Sequence, residues 1–147
     1  MARAIQKGTE FALIESGVVA VGNTIRQGMP VVFAAGFLVE SVAQGTIAVG
    51  IAESIENQAN TTTPWTAAAG TTVNFVRLGS NCIVKCRVGA GAATVNVSAV
   101  CAAAGAQDYA IAAGANAARI LGTWAETGVV NDLRGLYVGD ACVMVGA

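Results

Sequence analysis

The stretch SNCIVKCRVG, Ser80–Gly89, decides the fold class. Cys82, Val84, Cys86 and Val88 alternate with Ile83, Lys85 and Arg87, and a period of two is the period of a β-strand. The cysteine and valine face is expected to be buried, and the face with Lys85 and Arg87 partly wet. Working outward, the same short Val-, Ile- and Thr-rich runs recur at Val18–Val21, Pro30–Ala34, Phe37–Ser41, Thr46–Ser54 and Thr72–Leu78. They recur again at Thr94–Cys101, Arg119–Glu126, Leu136–Val138 and Ala141–Val145. Glycines such as Gly22, Gly36, Gly70, Gly79 and Gly139 punctuate the runs, as turns between short strands require.

This pattern predicts a mainly β chain: a single-domain antiparallel β-sandwich or β-barrel with short helical turns and an extended N-terminal arm. The arm is expected over residues 1–10 and the β domain over residues 11–147. Helical turns are expected near Gln107–Ala113, in an Ala-rich stretch limited by Gly105 and Gly114, and a further turn near Val130–Arg134. The polar segment at about 54–72, with Pro64 and no strand period until Thr72, reads as a long exposed loop. Trp65 within it has two readings: an exposed anchor for a partner, or an indole folded back over the core.

Charge supplies the next constraint. Only 12% of the 147 residues are charged, against about 25% in an ordinary soluble domain. A monomer so poor in charge exposes apolar surface and associates, so much of this surface is expected to be covered by other protein. The chain has no histidine, which removes Ser-His-Asp and Cys-His catalysis and every His-ligated metal site. A net charge of −1, with no basic track interleaved with aromatics, argues against nucleic acid as a partner. Of the longest uncharged stretches, the one between Glu56 and Arg77 is polar, and the one between Arg87 and Asp108, Ala- and Gly-rich with Asn96, Ser98 and Gln107 and no Leu, Ile or Phe, would insert poorly into a membrane. MARAIQKGTE carries no apolar leader core, so a cytoplasmic product is expected.

Cys82, Cys86, Cys101 and Cys142 form no Cys-x-x-Cys pair and read as small buried hydrophobes, with disulfide pairing left open. Neither a phosphate loop nor a dinucleotide fingerprint occurs; GAGAA, Gly89–Ala93, reads as a hairpin turn. Glu53 and Glu56 are the nearest pair of acids, and as acids at a strand end they are expected to be solvated surface. No cofactor, no metal site and no enzymatic activity are expected. Two weak internal matches occur: AVGIAE (Ala48–Glu53) with ILGTWAE (Ile120–Glu126), and PVVFAAG (Pro30–Gly36) with DYAIAAG (Asp108–Gly114). Their offsets differ, and chance matching in an Ala/Gly/Val-rich background accounts for them.

IQKG (Ile5–Gly8), GMPVVFAAG (Gly28–Gly36) and AVGIAES (Ala48–Ser54) resemble segments of the capsid cement, or decoration, proteins of tailed bacteriophages. So do IVKCRVGAGAATVNVSAV (Ile83–Val100) and the closing NAARILGTWAETGVVNDLRGLYVG (Asn116–Gly139). The resemblance implies a structural virion protein on the capsid outer surface, produced in the host bacterial cytoplasm. It implies binding to the phage major capsid protein and to itself as a homo-oligomer, with a trimer favoured, bridging capsomers to stabilise the shell. Another phage β module, of tail tube, head–tail junction or fibre, is the alternative. Candidate interface residues are Arg3 and Lys7 in the arm, and Pro64 and Trp65 in the loop.

Overall fold

A computed structural model describes residues 5–7, 13–43, 48–56, 63–109, 118–139 and 144–145. The strands are β1 (Ile5–Lys7), β2 (Ile14–Val18), β3 (Thr24–Arg26), β4 (Pro30–Ala34), β5 (Phe37–Glu40), β6 (Gly50–Ile55) and β7 (Thr66–Ala68). They continue with β8 (Thr72–Arg77), β9 (Cys82–Arg87), β10 (Ser98–Ala102), β11 (Gly105–Asp108), β12 (Ala118–Trp124), β13 (Leu133–Val138) and β14 (Met144–Val145). Strand β9 alternates buried and half-buried residues along its length, the period of two that its sequence carries.

The described residues contain no helix, which corrects the expected helical turns. Gln107 and Asp108 lie in β11, paired with Val100 and Ala99; residues 110–113 fall outside the described residues. Alanine favours a helix by only tenths of a kcal/mol over most residues, and a ladder with β10 overrides that preference. Near Val130 the chain makes a tight turn closed by Asp132 N–H to Val129 O at 3.0 Å, and Leu133 then opens β13. The segment at 54–72 contains strand β7, and the arm at 1–10 contains β1, which lies against β9.

The strands form three antiparallel sheets: a seven-stranded one ordered β1-β9-β13-β12-β10-β11, with β14 against β12, a five-stranded one ordered β2-β8-β6-β4-β5, and the pair β3-β7. Set aside β1 and β14, and the two larger orders are one topology written twice. Each runs first, fifth, fourth, second, third in chain order. In each, the outermost strands also meet at a parallel bridge, Val19 with Leu38 in the first half and Val88 with Ala106 in the second.

Register and loop bonds repeat with the topology. Val31 pairs with Glu40 and Gly50 as Ala99 pairs with Asp108 and Gly122. Gly28 N–H donates to Ala52 O at 2.9 Å, and Asn96 N–H to Trp124 O at 2.8 Å. Gly70 N–H donates to Val19 O at 3.0 Å, and Asn131 N–H to Val88 O at 2.8 Å. Gly28, Asn96, Gly70 and Asn131 all have positive φ, between 69° and 84°. Glycine and asparagine are the residues that adopt this region at least cost, so each replaces the other without disturbing the turn.

The chain therefore builds one topology twice, and the AVGIAE/ILGTWAE match holds at its glycine, since Gly50 and Gly122 are equivalent, but not at its Ala-Glu endings, since Ala52 answers Trp124. The second match pairs the wrong segments. The counterpart of PVVFAAGFLVE (Pro30–Glu40) is SAVCAAAGAQD (Ser98–Asp108), hairpin for hairpin.

Each half also repeats an acid at the end of its hairpin, β4–β5 or β10–β11. Glu40 Oε2 accepts from Arg26 N–H at 2.9 Å, and Asp108 Oδ1 from Thr94 N–H at 2.8 Å. Glu40 further takes the Arg26 guanidinium at 3.1 Å through both oxygens. Hydrogen bonds to charged groups are worth about 1.5–3 kcal/mol when well buried and less when partly exposed. Glu40→Ala should therefore cost about 1–2 kcal/mol in urea unfolding, more than Asp108→Ala.

Two apolar clusters fill the molecule. One holds Val19, Ile25, Val31, Leu38, Trp65 and Phe75 with their neighbours, inside the first half. The other occupies the second half around Val84, Cys101, Trp124 and Leu136, and takes in Ala48, Ile51 and Val76 from the first. The first half thus lends one face of its sheet to the core of the second.

Candidate interaction surface

The junction between the halves combines backbone and side-chain hydrogen bonds. Arg87 N–H donates to Gly28 O at 2.8 Å, and Arg87 Nε to Gln27 O at 3.3 Å. Arg26 Nη2 reaches Ala103 O at 3.4 Å, and Ser41 Oγ lies 3.4 Å from Cys101 Sγ. Burial and the nearby Arg26 charge lower the Arg87 pKa, while Glu40 opposes that shift. Behind these polar bonds, Ile51 and Val76 seal the apolar end of the second half at 0% exposure.

The same end of the first half is open. Phe33 stands where Cys101 stands in the second half, and is 41% exposed. Its ring packs edge-on to Phe75, centroids 5.9 Å apart. Gly17 opposite makes the room: a Cβ there would lie 2.8 Å from the Phe33 ring. The counterpart of that Gly17/Phe33 pair is Cys86/Cys101, two mid-sized thiols. Leu13, on the strand face of Gly17, is exposed too, and Ile14 and Val18 are exposed on the opposite face of β2. By the same register Glu15 and Arg77, ion-paired at 2.8 Å, stand where the second half has the buried Val84 and Val138, so the opening carries a charged pair among its apolar groups.

Of the sequence candidates, Arg3 lies outside the described residues, and Lys7 lies in β1 paired with Ile83. Pro64 is exposed. Trp65 folds back: it is 7% exposed within the first cluster, its backbone N–H donates to Gln27 Oε1 at 3.3 Å, and its backbone O accepts from the Gln27 backbone N–H at 2.9 Å. The structure does not bring these four together. Glu53 is buried, not solvated as expected, and accepts from Ser54 Oγ at 2.6 Å, while Glu56 is exposed. The register shift between Ala52 and Ser54 turns the Glu53 side chain from where strict alternation would aim it. Sequence reading missed the Phe33 opening; its signal was the hairpin that places Phe33 where the second half has Cys101.

Cys82, Cys86 and Cys101 are buried; Cys142 lies outside the described residues. Burial pushes the Cys86 thiol well up, with Cys101 adding and Arg87 opposing, and burial also raises Cys82. A pKa raised on folding stabilises the native state below the unfolded value and is lost as pH climbs past it. Stability should fall as pH rises above the ordinary thiol value of 9.0. In a Cys142→Ser background no thiol should react with a maleimide at pH 7 until denaturant is added; thiol titration and urea melts at stepped pH check both.

A scan against protein-family models, a search of curated proteins and a search of solved structures each find no match to this chain.

Proposed function

We propose that this chain is a structural virion protein that binds the outer surface of a bacteriophage capsid and stabilises the shell by bridging capsomers. It works as a homo-oligomer, a trimer favoured, with no enzymatic activity, no cofactor, and neither nucleic acid nor membrane as partner. The observation that carries the reading is an all-β chain with 12% charge that leaves large apolar side chains uncovered, Phe33 and Tyr137 among them. Such surface marks sites of protein association. The sequence resemblance to cement proteins supports the shell as the partner, and repetition around a shell makes modest contacts sufficient through avidity.

We also infer that each half is a small five-stranded barrel and not one layer of a sandwich. The bridges Val19–Leu38 and Val88–Ala106 join the outer strands of each order, and closure removes sheet edges that would pair indiscriminately.

Immunogold labelling of intact virions tests the location. Label over the head is expected. Label along the tail or at its tip would overturn the reading in favour of another virion β module.

A further inference from the structure

The two halves meet through unlike faces, and among the described residues each of those faces has a more exposed counterpart on the opposite half. On the giving side, Ser41, Ile51 and Val76 of the first half are buried in the junction. Their equivalents follow from bonds and register. Ser41 N–H donates to Pro30 O at 2.8 Å as Tyr109 N–H donates to Ser98 O at 2.7 Å. Ile51 pairs with Pro30 as Thr123 pairs with Ser98. Val76 pairs with Ile14 as Tyr137 pairs with Ile83. Tyr109 and Thr123 are half-buried, and Tyr137 is 42% exposed, against 0% for Val76.

On the receiving side, Cys82, Cys86 and Cys101 of the second half are buried in the cluster that also holds Ile51 and Val76 of the first, and Cys101 meets Ser41. Their equivalents Leu13, Gly17 and Phe33 surround the opening described above. The receiving end of the first half and the giving face of the second are therefore the two uncovered surfaces of one repeating contact.

We propose that copies of this chain associate head to tail, the Tyr109/Tyr137 face of one copy closing over the Phe33 opening of the next. This deepens the self-association in the proposed function, and rests on that part of it, not on the shell. The contact repeats the internal junction. Phe33 takes the place of Cys101 and Tyr109 that of Ser41, so a pair of small polar and sulfur groups becomes an aromatic pair. The bond from Arg87 N–H to Gly28 O becomes one from Val18 N–H of one copy to Asn96 O of the next. Continuity with a contact already built into the chain argues for a second copy as the occupant. Such a heterologous contact closes into a ring when the rotation between copies permits, and the trimer favoured above is one such ring.

Cysteine cross-linking of the purified full chain, without capsids, tests this in a Cys142→Ser background. Phe33→Cys and Tyr109→Cys are prepared separately and then mixed under mild oxidant. A disulfide-linked dimer in the mixture, with neither variant cross-linking alone, is the expected result. Cross-linking of either variant with itself would show a two-fold contact through like faces and overturn the proposal. A mixture that stays uncrosslinked would overturn it equally. Phe33→Glu and Tyr137→Glu, both at exposed positions and so expected to fold, should each weaken association at least about tenfold by sedimentation. Association unchanged in both would contradict the proposal. Because no capsid is present, a failure here leaves shell binding to be judged separately.

Discussion

Trp124→Ala should lower stability by about 3–5 kcal/mol, the largest loss of any single side chain here. Trp124 is 1% exposed and sits in the core shared by both halves. Its backbone is fixed at both ends, N–H to Val97 O at 3.0 Å and O from Asn96 N–H at 2.8 Å, so the chain cannot close over the cavity. Leu136 is its cross-strand neighbour. The first half solves the same space differently: Ala52 stands in the place of Trp124, Phe75 in that of Leu136, and Trp65 joins the cluster from the segment before β7. Because the indole Nε1 is buried without a hydrogen-bond partner among the described residues, Trp124→Phe also removes a desolvation penalty of about 1–3 kcal/mol. That variant should cost no more than about 1 kcal/mol. Equilibrium urea unfolding of the two variants checks both figures, and equal losses would show that the ring's volume is not what matters.

Gly122→Ala and Gly50→Ala should each cost about 3 kcal/mol, at the upper end for overpacking. A Cβ on Gly122 would lie 2.1 Å from Tyr137 O, and one on Gly50 would lie 2.4 Å from Val76 O. A backbone oxygen held in a ladder cannot swing aside as a side-chain end can. The methyl would therefore part β12 from β13, or β6 from β8. The unfolded-state gain from replacing glycine, about 0.4–1 kcal/mol, does not offset that. Equal losses at the two positions are a direct consequence of the repeated topology. Thermal and urea melts of the pair measure it, and a loss at one position alone would contradict the equivalence.

Much of the fold was legible where alternation was clean. Pro30–Ala34 is a strand over the limits read from its sequence, and Phe37–Ser41, Thr72–Leu78 and Cys82–Val88 each differ by one residue at the end. Strands β1, β3, β7 and β11, each of three or four residues, were missed, and the strand expected at Val18–Val21 was misplaced: β2 is Ile14–Val18, and the chain turns at Val21 and Gly22. The repeated topology was visible only at the glycine shared by AVGIAE and ILGTWAE. Elsewhere equivalent positions share backbone geometry and not side chains: Gly28 answers Asn96, Gly70 answers Asn131, and Ala52 answers Trp124. The exchange of large for small across each core preserves volume while erasing sequence likeness. Trp65 carried no signal for its orientation, since burial there depends on Val19, Ile25 and Phe75 arriving from distant strands.

The shell is the central claim, and binding to it is the direct test. On the proposed function, phage capsids stripped of their outer proteins are mixed with the purified protein and pelleted, and their heat resistance is followed by release of DNA. The protein should co-sediment to saturation and raise the temperature of DNA release. No co-sedimentation together with no gain in heat resistance would contradict the account.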